Sequence, residues 1–288
     1  MVKTAQLIAH GNSFVASDDD DFHLFFQTGM SQDQGCIIHI KHNDSHTTHV
    51  FLLVSGLNKI ALKRLGIILR NNSNLENVSL IGLKGNQRHT ASELWLSVGL
   101  QLNRSIKELT MQFFSIGGTA KLKIMDPFFT DNPRPENLSI CHCSLGSTDI
   151  DFLSDWMMRR PADTLRKLNF SHNSMGNIDL DKLTMALIEK GGVKRLNLAV
   201  NHIGRNGVVS LAKLLTESKV SNMEELNLSA NSIDSDDASN LINALADNNK
   251  LKTLNLEDNG RVCSGGWAFV LRRVMQSSYA TAQAYQIQ

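Results

Sequence analysis

The sequence predicts an α/β solenoid: strand–turn–helix units stacked into a horseshoe, with a parallel β-sheet on the concave face and helices on the convex face. Three observations predict it. One spacing, apolar at positions 1, 4 and 6 with asparagine or a substitute at position 9, recurs from residue 75 onward. Between positions 3 and 7 the side chains alternate as they do in a half-buried strand. After position 9 the apolar residues take up helical spacing, as in Asn201-x-Ile203-Gly204-x-x-Gly207-x-x-x-Leu211-x-x-Leu214-Leu215. One such unit cannot bury its own leucines. Stacking the units covers them, and sets strand beside strand and helix beside helix.

In chain order, residues 1–46 read as an N-terminal cap or divergent segment, because a solenoid must cover its first apolar face. Within it are an acidic run, Asp18 to Asp21, and strand-like pieces at 22–27 and 36–40. Repeats are expected over 47–262. Thr47 at position 1 places Val50 and Leu52 at positions 4 and 6, one 28-residue period before Leu75, which makes 47–74 a divergent unit. Seven clear units follow. Leu75/Val78/Leu80/Leu83, Ile106/Leu109/Met111/Phe114 and Pro135/Leu138/Ile140/Cys143 continue to Leu165 at intervals of 31, 29 and 30 and are degenerate at position 9. The last four, Leu165/Leu168/Phe170/Asn173, Val193/Leu196/Leu198/Asn201, Met223/Leu226/Leu228/Asn231 and Leu251/Leu254/Leu256/Asn259, start 28, 30 and 28 residues apart. Helix signals sit between the strands: a capping-box pattern at Thr90-x-x-Glu93, candidate N-caps at Asp234 and Ser235, and Gly191-Gly192 closing a helix before Val193. Trp267, Phe269, Val270, Leu271 and Val274 mark a C-terminal capping helix over 263–276. Residues 277–288 lack charge and core pattern and read as a flexible tail.

These frames resemble the leucine-rich repeat superfamily, whose L-x-x-L-x-L-x-x-N/C-x-L signature they carry. The unit length and helical outer half are similar to its ribonuclease-inhibitor-like branch. The resemblance is most specific over 165–260. It implies a fold and a mode of recognition, not a substrate. The position-9 residues Asn173, Asn201, Asn231 and Asn259 fall where the chain turns inward, and their amides can both donate to and accept from backbone groups of neighbouring turns. They are expected to be structural.

Composition narrows the function. With 29 Lys+Arg against 28 Asp+Glu, the formal charge of +1 predicts no nucleic-acid partner. No run reaches the ~18 to 20 apolar residues of a membrane helix, and the start carries no secretory h-region. Four cysteines fit a reducing compartment, so the cytoplasm is expected, or the nucleus. Signatures for phosphate binding, nucleophile elbows and zinc proteases are missing, so no enzyme, catalytic residue or cofactor is expected. His39, His42, His46 and His49 with nearby Cys36, and Cys141-His142-Cys143, are ligand-type residues at spacings that match no known metal site. No bound metal is expected.

What remains is the strand face, the surface solenoids use for recognition. Rungs ~4.8 Å apart stack equivalent positions into columns. Column 5 holds Ser139, Asn169, Asn197, Asn227 and Asn255, and column 7 holds Cys141, Ser171, Ala199, Ser229 and Glu257. Columns 2 and 3 hold Arg166 and Lys167, then Lys194 and Arg195, then Glu224 and Glu225, so four cations fall on two adjacent rungs. Two readings follow. Either Glu136 with Arg166 and Lys194 with Glu224 form a cross-rung ion-pair ladder, or the cations dock a protein with an acidic surface. His142 and His172 adjoin in column 8 as exposed histidines. The chain is thus expected to be a non-enzymatic interaction module or scaffold, with partner and oligomeric state unspecified. The alternatives are a small-GTPase regulator resembling Ran-type activators, for which Arg88 is the loosely comparable loop arginine, and the repeat portion of a receptor-like signalling protein.

Overall fold

The computed structural model describes residues 3–7, 22–26, 36–40, 47–53, 66–67, 69–81, 100, 102–113, 135–217, 222–246 and 248–259. The chain divides into two compact units, Met1–Ile116 with Ala120–Ser139, and Gly117–Thr119 with Ile140–Gln288. The expected capping helix and tail, the pattern at Thr90 and Glu93, Arg88, His42 and His46 lie outside the described residues.

The first unit carries β1 (Lys3–Leu7), β2 (Phe22–Phe26), β3 (Cys36–Ile40), β4 (Thr47–Leu53), β5 (Asn77–Ile81) and β6 (Glu108–Gln112). Strands β1, β4, β5 and β6 are adjacent and parallel, in that order. The register sets Val50 opposite Val78 and Val78 opposite Leu109, so position 4 stacks on position 4, and all three are buried. One strand is unforeseen. Lys3–Leu7 carries no repeat frame, yet β1 adds a parallel rung in front of β4. Strands β2 and β3 form a separate antiparallel pair, with Phe22 opposite Ile40 and Phe26 opposite Cys36. The boundary between the units falls inside β7 (Asn137–Cys141).

The second unit alternates α1 (Ser147–Arg159), β8 (Lys167–Asn169), α2 (Asn177–Lys190), β9 (Arg195–Asn197), α3 (Arg205–Thr216), β10 (Glu225–Asn227), α4 (Ser235–Ala244) and β11 (Thr253–Asn255). Strands β8 to β11 are parallel and in exact repeat register. This is an open α/β leucine-rich-repeat solenoid. Leu168, Leu196, Leu226 and Leu254 at position 4, and Phe170, Leu198, Leu228 and Leu256 at position 6, are all buried. So are Leu153, Leu183, Leu211 and Leu241 on the helices, each of which packs against its neighbour.

Each helix solves its first turn with a variant of one device. At α4 the N-cap Asp234 accepts the Asp237 N–H at 2.8 Å, the expected cap. At α1 and α2 the N-cap is glycine, and the third helical residue does the work: Asp149 and Asp179 accept the N–H groups of Gly146 and Gly176 at 3.0 and 2.8 Å. Burial pushes the Asp149 carboxyl up from its ordinary pKa. In α3 that position is Gly207, and the cap comes from the preceding helix: Asn177 Oδ1 accepts the N–H groups of Gly204 and Gly207 at 2.9 and 3.0 Å. A Cβ on Gly207 would lie 2.8 Å from that same oxygen, which is why the position is glycine.

Candidate functional site

The position-9 asparagines form a buried ladder. Asn201 Nδ2 donates to the carbonyls of Phe170 and Leu198, both at 3.0 Å, while its Oδ1 accepts the Met175 N–H at 3.1 Å. Asn231 repeats this on Leu198, Leu228 and Ile203, Asn259 on Leu228, Leu256 and Ile233, and Asn173 on Ile140, Phe170 and Leu145. Each amide therefore ties two position-6 carbonyls of successive rungs. At Cys143, which takes the place of asparagine, a buried thiol donates to the Cys141 carbonyl at 3.1 Å.

Between that ladder and the outer face the chain makes a turn the spacing did not reveal. His142, His172, Val200, Ala230 and Asp258 at position 8, and Phe113 in the first unit, all have φ between 52° and 59°. None is glycine. The left-handed residue swings its N–H back into line with the sheet: His172, Val200 and Ala230 donate to the position-7 carbonyls of Ala199, Ser229 and Glu257 at 2.8 to 2.9 Å. The next residue is thereby turned inward, where asparagine finds its carbonyls. A second asparagine position also went unread. Asn248, three residues before Leu251, donates to the Leu215 carbonyl and accepts from Lys250 and Leu251, and Asn103 does the equivalent in the first unit.

On the outer face of β8 to β11, the registers place Lys167, Arg195, Glu225 and Thr253 in one column and Asn169, Asn197, Asn227 and Asn255 in the next outward column. The columns counted from sequence are therefore real neighbours. The charges differ from a block of four open cations. Lys194 meets Glu224 at 3.0 Å, Lys252 meets the same carboxylate at 2.7 Å, and Arg195 Nε meets Glu225 at 3.0 Å. The hydrogen bonds from Lys252 and then Lys194 hold the Glu224 carboxyl down at about 2. Lys167 is exposed and has no carboxylate partner among the described residues. His142 and His172 stack with ring centroids 3.9 Å apart.

Column 5 has its own geometry. Each Oδ1 accepts the backbone N–H two residues on: Asn169 from Ser171, Asn197 from Ala199, Asn227 from Ser229 and Asn255 from Glu257, at 2.8 to 3.1 Å. With Oδ1 fixed, each amide has its Nδ2 on the other side. Among the described residues, no acceptor meets those four NH2 groups. In the first unit the face is also charged, with Lys107 on Glu76 at 2.6 Å. Among the described residues, no three His, Cys, Asp or Glu side chains converge as metal ligands would, and no helix is long and apolar enough to cross a membrane.

No family model matches the chain, and no curated protein does. Among solved structures, the chain is similar to the actin-binding site 2 of leiomodin-1, at 12% identity over 52% of this chain and 83% of that one, with a TM-score of 0.41. It is also similar to an internalin from Listeria monocytogenes, at 16% identity over 80% of this chain, with a TM-score of 0.42; the match spans 53% of the internalin.

Proposed function

We propose that this chain is a non-enzymatic protein-interaction module that receives its partner on the outer face of β8 to β11, the concave face of a horseshoe of ribonuclease-inhibitor-like repeats. The observation that carries the proposal is a parallel sheet with helices on one face and polar side chains on the other. Parallel sheets ordinarily have both faces covered. Here the second face presents Lys167, Arg195 and Glu257 to solvent, with a floor of half-buried asparagines between them. Such a floor offers hydrogen bonds at little cost in side-chain ordering, since each amide is already held by a backbone N–H. The partner is a protein with an acidic surface, and the setting is cytoplasmic or nuclear. Neither a cofactor nor a metal takes part.

Site-specific photo-cross-linking distinguishes the faces. A photoreactive residue at Lys167 or Ser229 is expected to yield adducts with a partner, and one at Met185, exposed on α2, is not. Adducts from position 185 alone would move recognition to the helices. Replacing Lys167 by glutamate is expected to slow association while leaving the melt in place, because an exposed charge adds little to stability.

A further inference from the structure

We infer that the occupant of this face is an extended, acidic peptide segment whose carbonyl and carboxylate oxygens accept hydrogen bonds from the amide row Asn169, Asn197, Asn227 and Asn255. This rests on the strand-face reading above and adds the chemistry of the partner. Because each Oδ1 already accepts a backbone N–H of its own rung while no Nδ2 of the row meets an acceptor among the described residues, the NH2 donors are the less satisfied half of each amide. A surface of donors selects a ligand of acceptors, since a donor buried on binding without a partner costs its full desolvation.

Spacing then separates the conformations such a ligand can take. Rungs lie ~4.8 Å apart, so alternate amides are ~9.6 Å apart. A polyproline-II chain repeats every ~9.3 Å with its carbonyls unbonded, so the same backbone oxygen returns at every second rung. An α-helix has already committed its backbone carbonyls internally and brings side-chain oxygens alone. Charge gives the composition. Columns 2 and 3 of β8 to β11 hold Arg166, Lys167, Lys194, Arg195 and Lys252 against Glu224 and Glu225, a net of three positive charges. The far ends carry no cation to match: position 7 is Ser171, Ala199 and Ser229 on the first three rungs, and past β11 Glu257 and Asp258 are exposed acids. The acidic side chains of the ligand therefore point toward positions 2 and 3, away from position 7.

The test uses the full chain and fluorescence anisotropy with two labelled dodecapeptides, oligo-glutamate, which self-repulsion keeps extended, and oligo-lysine. Oligo-glutamate is expected to bind and oligo-lysine not to bind. Asn197→Ser with Asn227→Ser shortens two donors without adding charge, and serine or threonine already fills the same position at Ser79 and Thr110. Loss of two hydrogen bonds should weaken oligo-glutamate roughly tenfold. Asn197→Asp with Asn227→Asp keeps the Oδ1 bonds and so the fold, and should abolish binding. Oligo-glutamate that fails to bind, oligo-lysine that binds as well, or equal affinity in the serine variant would each overturn the amide row. The cross-linking pattern does not depend on peptide chemistry, so adducts from 167 or 229 beside a failed peptide experiment would leave the strand face standing and remove its proposed occupant.

Discussion

Asn197 and Asn201 are the same residue four positions apart on one rung, and they are used in opposite ways. The inner amide is buried, with Nδ2 on two carbonyls and Oδ1 on the Met175 N–H. The outer amide spends Oδ1 on the Ala199 N–H and keeps Nδ2 toward solvent. The left-handed Val200 between them sends one to each side. One repeat thus dedicates one asparagine column to holding its turns and another to its outer surface, and residue identity alone does not separate them. What separates them is the count of backbone groups each amide meets.

Both columns depend on the apolar scaffold beneath them. Leu196 is buried at position 4, so Leu196→Ala should cost ~2 to 5 kcal/mol in denaturant unfolding, and a loss under ~0.5 kcal/mol would mean the register is wrong. The pivot comes next. A β-branched residue at a φ of 54° is strained, and asparagine tolerates that region, so Val200→Asn should raise stability by ~0.5 to 1 kcal/mol. A drop in melting temperature would show that the valine side chain, not the backbone, sets this turn. The smallest effect belongs to the outer charges. Glu224 titrates at about 2 when folded, below its ordinary value of 4.5, so its contribution is complete above that ordinary value and fades as pH falls toward 2. The difference in urea midpoint between wild type and Glu224→Gln should therefore be present at neutral pH and vanish near pH 2; a difference independent of pH would assign Glu224 no role through its charge.

Much of the second unit was legible because its signal is periodic. Leu168, Leu196, Leu226 and Leu254 recur in one frame, so strand, inward face and column neighbours all followed from counting. Features without periodicity were not legible. The strand Lys3–Leu7 pairs with β4 through backbone register and has no frame of its own. Asn72, Asn103 and Asn248 each accept the N–H of the residue three positions on, where the chain enters the next rung, while the chain before Val193 turns at Gly191, where φ is 63°. The left-handed position 8 is occupied by His, Val, Ala, Asp and Phe, none of which announces a positive φ. On the outer face, adjacency of Lys194 and Glu224 was readable. That one carboxylate would take Lys252 as well, and that Arg195 would turn to Glu225, depends on rotamers that sequence does not encode.

The most direct measurement is one substitution made at both columns. Asn→Asp keeps Oδ1 and replaces the NH2 donor by a carboxylate oxygen. At Asn201 that oxygen faces the carbonyls of Phe170 and Leu198 in a buried site, so Asn201→Asp should cost ~3 to 5 kcal/mol at neutral pH, the penalty of an uncompensated buried charge. At Asn197 it faces solvent, and Asn197→Asp should stay within ~0.5 kcal/mol of wild type. Two equal losses, or a larger one at Asn197, would contradict the division of the two asparagine columns into one that holds the fold and one that faces solvent.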